Sequence, residues 1–467
     1  MSESDKLVIS FKFPPDNDVS GIVVAKRIIT DNSKVDVLLN HVDNDFLDFV
    51  NLDNFINERF EVSVDAKRDS VDCIFDFINQ GMDIIDKKDY KEIYSRSWYM
   101  SNHYLALEYK FSHPDVFWTA EFSDPVLRNM QGRIKNYKSA VLDNQEYIDR
   151  LNQNIRMLNF KELDNPANTF HIAEYLTFLF ADKIIFTNVN QREMMLESYD
   201  DDVKQLVIDK SQIIPHPTLD KSYYHQKESD IDLDKGDINI AYFGTTYYIL
   251  RHFEPLFYAF ESLNHKYKDK IKFYIFIDSA DFLKILIDEL EFKDNIIIQK
   301  LLNYIEFLNA TTKFDILLVN DTITENRFNV NPYLPSKLAD CKGSSKDIWA
   351  IYETGSTLSK EDVKYRSSMG DFKQSKEVLV QILSDYGYDD EDSSFDENFY
   401  EKRITDLNRI VRKEFDAKNR LEKRNSKLKR DIKRLKAENK RLKDKNEEIL
   451  SSNSWKITKP LRDLRNK

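Results

Sequence analysis

Short runs of apolar residues recur from the start of the chain to about position 385, and the stretches between them space their apolar side chains as helices do. Leu7-Val8-Ile9-Ser10-Phe11 opens the series. A turn-rich loop follows, Pro14-Pro15-Asp16-Asn17-Asp18-Val19-Ser20-Gly21, and then a helical stretch from Ile22 to Thr30. Val35-Asp36-Val37-Leu38-Leu39 predicts the second strand, and Val116-Phe117-Trp118-Thr119-Ala120, Lys183-Ile184-Ile185-Phe186-Thr187 and Gln212-Ile213-Ile214 predict later ones. The segment Lys227 to Asp237 is dense in Asp, Lys and Ser and nearly free of large apolar groups, which reads as a linker. Beyond it the pattern restarts with Ile238-Asn239-Ile240-Ala241-Tyr242-Phe243, a turn at Gly244-Thr245-Thr246 and a helical run from Arg251 to Leu263. Further strands are predicted at 272–277, 295–298, 315–319 and 347–351.

Buried strands alternating with helices point to doubly wound, parallel-sheet architecture. The predicted fold class is therefore α/β, with two Rossmann-like domains facing a cleft over residues 1–226 and 238–385. An acidic hinge at Tyr386 to Asn398 separates them from a different pattern. From about Tyr400 apolar residues repeat every seven positions: one seam carries Leu407, Leu421, Leu428, Leu435, Leu442 and Ile449, the other Ile404, Val411, Asn425, Ile432, Asn439 and Asn446. Leucine on one seam and repeated asparagine on the other predicts a parallel, homodimeric coiled coil over 400–450, interrupted at Glu414 and Lys418. A basic tail occupies 451–467.

Charge sharpens this division. The chain of 467 residues carries a net charge of −12, yet residues 417–467 hold nineteen Lys/Arg against seven Asp/Glu, about +12, which leaves about −24 on the rest. An acidic body argues against nucleic acid as a partner. The tail, with Trp455 and Leu461 among Lys456, Lys459, Arg462 and Arg465, suits a peripheral contact with an anionic membrane surface. No window has the roughly 18 apolar residues of a membrane span and no leader is recognisable, so the expectation is a cytoplasmic protein, peripheral at the inner face of the membrane. Cys73 and Cys341 stand far apart without a Cys/His cluster, which predicts neither a disulfide nor a zinc site.

Two positions draw attention before any family is considered. Gly21 stands between a strand and a helix, where its backbone N–H can approach a substrate phosphate or acceptor. Asp124 follows a buried strand at the expected cleft, where a carboxylate can orient an acceptor hydroxyl or the donor sugar. No GxGxxG or P-loop signature is present, which lowers the case for a dehydrogenase or NTPase.

Three stretches act in combination: Trp118-Thr119-Ala120-Glu121-Phe122-Ser123-Asp124-Pro125, Tyr242-Phe243-Gly244-Thr245-Thr246-Tyr247 with Arg251, and Asn331-Pro332-Tyr333-Leu334-Pro335-Ser336-Lys337-Leu338-Ala339-Asp340. Through them residues 7–385 resemble the retaining, family 4-like GT-B glycosyltransferases of surface-polysaccharide synthesis. The resemblance implies a nucleoside-diphosphate sugar as donor, a glycan, lipid-linked or protein acceptor, and transfer with retention, without metal or cofactor. It implies that Gly244, Thr245 and Arg251 hold the donor diphosphate together with Lys337, that Ser336 adds backbone contacts, and that Asp340 grips the ribose. Asp340 stands where relatives have the longer glutamate, and Pro332 where many have a glutamate, so Asn331 is a candidate substitute. The rival reading is a noncatalytic scaffold of the same fold that organises other enzymes through its coiled coil. A third is a nucleotide-sugar epimerase or polyol-phosphate transferase.

Overall fold

The computed structural model describes residues 4–41, 49, 51–244, 253–278, 281–288, 290–388, 397–451 and 455–456. Thr245, Arg251 and most of the basic tail lie outside them. Residues 1–395 form one compact body, and the remainder forms a second unit.

Strand β1 (Lys6–Ile9) shows why the sheets are interior. Leu7 and Ile9 enter one apolar core and Val8 enters another on the opposite face. A strand buried on both faces must be apolar at consecutive positions, and it sits in a parallel sheet covered by helices on both sides. With β2 (Val35–Asn40), β3 (Ile56–Val62), β4 (Glu92–Arg96) and β5 (Phe117–Phe122), it begins a seven-stranded sheet. Two short strands, β6 (Val141–Leu142) and β7 (Ala167–Asn168), pair separately and antiparallel, and β8 (Lys183–Phe186) and β9 (Ser211–Ile213) complete the large sheet in the order β3-β2-β1-β4-β5-β8-β9.

The second sheet repeats the plan with β10 (Ile238–Phe243), β11 (Ile271–Ile277), β12 (Ile296–Lys300), β13 (Ile316–Asn320), β14 (Asp347–Tyr352) and β15 (Tyr365–Ser368), in the order β12-β11-β10-β13-β14-β15. All its pairs are parallel. Strand order reverses between β1 and β4 in the first sheet and between β10 and β13 in the second. Ligands of such sheets bind beyond the carboxyl ends at these reversals.

Strands β3, β4 and β15 were not foreseen in the apolar pattern, and the reason is visible in their residues. Strand β4 reads Glu92-Ile93-Tyr94-Ser95-Arg96, and its polar carboxyl end is buried all the same. The helix Val19–Asp31 begins three residues before the predicted stretch. Asp18 caps it by accepting from the backbone N–H groups of Ser20 and Gly21. A Cβ at Gly21 would lie 2.6 Å from the Lys12 carbonyl oxygen, so glycine lets this helix press against the loop leaving β1.

The two sheets are joined by more than the linker. Tyr304, Ile305 and Leu308, from the helix Tyr304–Lys313 of the second half, lie in one apolar cluster with Val8, Ile22, Val24 and Ile28 of the first. Each fully buried side chain of this kind contributes about 1.5–3 kcal/mol. The linker is itself fastened: Ser229 N–H donates to Asn309 Oδ1 at 2.9 Å, and Lys227 pairs with Glu306 at 2.7 Å.

The second unit contains the helix Glu397–Ser451, 55 residues long. Leu421, Leu428, Leu435 and Leu442 are each at least 50% exposed on it. No helix among the described residues is long and apolar enough to cross a membrane.

Candidate functional site

The second half supplies a half-buried cation at the end of its first strand. Lys337 opens the helix Lys337–Gly343, and its Nζ donates to the Phe243 carbonyl oxygen while lying 4.2 Å from the centroid of the Tyr242 ring. Gly244 N–H donates to Phe276 O at 3.0 Å, continuing the β10 ladder. A Cβ at Gly244 would displace the Tyr242 hydroxyl and the Lys337 ammonium. Burial pushes Lys337 down to about 8, and the Cys341 thiol beside it opposes the shift. No carboxylate of the described residues forms an ion pair with it.

Of the other positions implied by the resemblance, Ser336 and Asp340 lie at and within the helix that Lys337 opens. Ser336 immediately precedes the helix in a helical conformation, and its side chain makes no capping bond. Asp340 is buried, and its Oδ1 receives both Lys26 Nζ at 2.6 Å and the Tyr304 hydroxyl at 2.8 Å. Lys26 comes from the first half and is 1% exposed, so this ion pair ties the two halves together on the helix that Lys337 opens. Thr245 and Arg251 lie outside the described residues. Gly21 is in the first half, with its N–H engaged by Asp18 Oδ1 at 3.1 Å.

Glu353, which the sequence did not bring forward, organises the loop between β13 and Lys337. It accepts from Thr324 N–H at 2.8 Å, Thr324 Oγ1 at 2.6 Å, Glu325 N–H at 2.6 Å and Asn331 Nδ2 at 2.7 Å. Asn331 thereby uses its amide N–H groups on Glu353 and on Thr322 O, while its Oδ1 accepts from Tyr333 N–H. The same loop reaches the first half, where Asn190 Nδ2 donates to Asn331 O and Asn188 Nδ2 to Pro332 O, each at 3.0 Å.

At the carboxyl ends of β4 and β5 the first half holds a second charged cluster. Glu121 is fully buried and accepts from Arg27 Nε at 3.0 Å, Arg96 Nε at 3.1 Å and the Tyr94 hydroxyl at 2.9 Å. Burial alone would raise its carboxyl, but Arg27 and then Arg96 override this and hold it at about 2. Arg96 also donates to Ser20 Oγ at 2.5 Å, and Arg27 to the carbonyl oxygens of Ile214 and Pro215. Burial beside these cations pushes His216 down to about 3 and keeps it neutral. The alternation of β5 carried a usable signal. Trp118, Ala120 and Phe122 face one core, so Glu121 faces the other, where a carboxylate needs a cation.

Asp124 lies two residues past β5. Burial raises its carboxyl above the ordinary range against the pull of Arg96 and Lys135. Lys135 is in turn lowered by burial, with Asp69, Asp124 and Glu174 opposing. Trp98, 41% exposed and two residues past β4, has the Arg68 guanidinium 5.2 Å from its ring. Among the described residues no cluster of three or more His, Cys, Asp or Glu side chains is arranged to hold a metal ion.

No protein-family profile matches the chain, and no curated protein matches it in sequence. Solved structures do match in fold. Sucrose-phosphate synthase of Thermosynechococcus elongatus superimposes with a TM-score of 0.54 at 12% identity, covering 90% of this chain and 99% of that one. Anabaena HepE, crystallised with UDP and glucose, gives a TM-score of 0.50 at 11% identity, covering 88% and 99%. At such identities the likeness establishes the fold, two parallel α/β sheets in the GT-B arrangement.

Proposed function

We propose that this chain is a glycosyltransferase that uses a nucleoside-diphosphate sugar, with the donor diphosphate held at Gly244 and Lys337. The observation that carries this reading is the half-buried Lys337 ammonium, without a carboxylate partner among the described residues, at the carboxyl end of the first strand of a nucleotide-type sheet. The GT-B likeness supports it. In the proposed reaction the bond from the anomeric carbon to the leaving phosphate oxygen breaks, and its electron pair departs with the diphosphate. The acceptor oxygen forms the new bond and loses its proton. A fixed cation at the leaving group stabilises this growing charge more than the ground state. Thr245 and Arg251 are assigned to the same diphosphate, Ser336 to a backbone contact and Asp340 to the ribose, with Lys26 and Tyr304 fixing its Oδ1.

Asp124 is assigned to the acceptor, as the group that takes or orients the hydroxyl proton. A carboxyl raised by burial is the better base near neutral pH. Asp124→Asn should leave nucleotide-sugar affinity within about twofold and reduce turnover by about 10²-fold. Calorimetry paired with a nucleoside-diphosphate release assay separates the two effects. Unchanged turnover would remove Asp124 from the mechanism. Retention at the anomeric carbon and a surface glycan as acceptor complete the reading and rest on the resemblance alone.

The leucine seam of the long helix supports a homodimer. Deleting residues from Tyr400 onward should convert a dimer into a monomer without unfolding residues 1–385. Light scattering that found the shortened chain still dimeric would exclude the coiled coil as the interface.

A further inference from the structure

Strand β13 ends in Asn320, and Asp321 follows; they are 4% and 0% exposed. Asn320 Nδ2, Asn320 Oδ1 and Asp321 Oδ1 are all closed to solvent, and none has a hydrogen-bond partner among the described residues. Buried polar side chains are normally paired, so three such atoms on consecutive residues require an explanation. Their place in the fold supplies one. Tyr242 and Leu318 are the last pair of the parallel β10–β13 ladder, so Gly244 and Asn320 each lie two residues beyond it on neighbouring strands. The unpaired amide therefore stands at the strand-order reversal of the second sheet, next to the turn where Lys337 lies. Asp321 is held in place from its other oxygen, with Oδ2 accepting from Glu353 N–H at 2.9 Å. Asn331, the substitute expected from the sequence, has its amide engaged within the loop, whereas the amide of Asn320 is not.

The chemistry of the three atoms selects among ligands. A phosphate only accepts hydrogen bonds from these groups, so it can pair with Nδ2 and leaves both oxygens as they are. Vicinal hydroxyls donate and accept, and can pair with all three. We propose that Asn320 and Asp321 bind hydroxyl groups of the donor's sugar ring and are the residues that distinguish a nucleotide sugar from the bare nucleotide. This rests on the reading that the donor diphosphate lies at Gly244 and Lys337. Burial raises Asp321 to about 7 against the pull of the Ser356 hydroxyl and the Glu353 N–H on its carboxyl, and a sugar hydroxyl serves that carboxyl whether protonated or not. Since both side chains are closed in the free protein, admitting the sugar requires side-chain rearrangement at the strand ends, as is common on binding.

The test compares uridine and guanosine diphosphates with their glucose and mannose conjugates, by calorimetry on the full chain, before and after Asn320→Leu and Asp321→Asn. Replacing an unpaired buried amide by an apolar group of similar size removes a desolvated group, so Asn320→Leu should be at least as heat-stable as the parent protein. Asn320→Thr is the alternative should the leucine variant fail to fold. The bare diphosphate should bind each variant within about twofold of the parent. The sugar conjugate should bind about tenfold more weakly or worse, the scale of a lost hydrogen bond to a buried partner. If the parent binds a diphosphate and its conjugate and the variants bind both equally well, the assignment of Asn320 and Asp321 is overturned while the donor site stands. If the parent binds no diphosphate, the donor site itself fails, and this proposal fails with it.

Discussion

Glu121→Ala is expected to cost about 3–5 kcal/mol of folding stability, because it leaves the guanidiniums of Arg27 and Arg96 in the interior without their counter-charge. Urea unfolding of the full chain measures the effect, and a loss below 1 kcal/mol would contradict the ion-pair account. The pH dependence has a defined direction. The folded carboxyl sits at about 2, below the ordinary value of 4.5. Its contribution is therefore complete above about pH 4.5 and is lost as pH falls toward 2. Glu121→Ala should lack this part of the acid sensitivity. The variant should also disturb catalysis, since Arg96 links the pair to Ser20 and helps set the charge at Asp124.

What was legible in the sequence, and what was not, follows from burial. Strands such as β1, β10 and β13 are apolar on both faces, and the unbroken runs Leu7-Val8-Ile9 and Ile316-Leu317-Leu318-Val319 announce them. Strand β4 escapes the same reading because Ser95 and Arg96 are buried as members of a hydrogen-bonded cluster, not as apolar filling. Local rules tend to fail where a site has been built. The motif around Lys337 was legible because Pro335 and Ser336 mark the start of a helix, whereas Lys26 and Glu353 were not. Their partners, Asp340 and the 324–331 loop, are 314 positions away in one case and 22 to 29 positions back in the other, and no local spacing connects them. Asn320 was hidden for a different reason: at the end of an apolar strand an asparagine looks like the first residue of a turn, and only the fold shows that its amide is buried and unpaired.

The largest effect on activity is expected at Lys337. Lys337→Ala removes the one diphosphate-facing cation proposed among the described residues, and loss of a single preorganised group at a developing charge typically reduces turnover by 10²–10³-fold. Because burial holds this ammonium at about 8, kcat/KM of the parent protein should also decline as pH rises above about 8, as the charged form of the free enzyme is depleted. The alanine variant should lack that alkaline decline. Its fold should be retained, since Lys337 is bonded to a backbone carbonyl and a ring face and not to a buried carboxylate that would be stranded.

The central claim, a nucleotide-sugar donor site at Gly244 and Lys337, is tested most directly by release of nucleoside diphosphate from a panel of nucleotide sugars in the presence of a glycan acceptor, with the parent protein and Lys337→Ala side by side. The account predicts release with at least one donor and a loss of about 10²-fold or more in the variant. A parent protein that neither binds nor turns over any nucleotide sugar, or a Lys337→Ala variant that matches it in rate, would contradict the claim and favour a noncatalytic scaffold of the same fold.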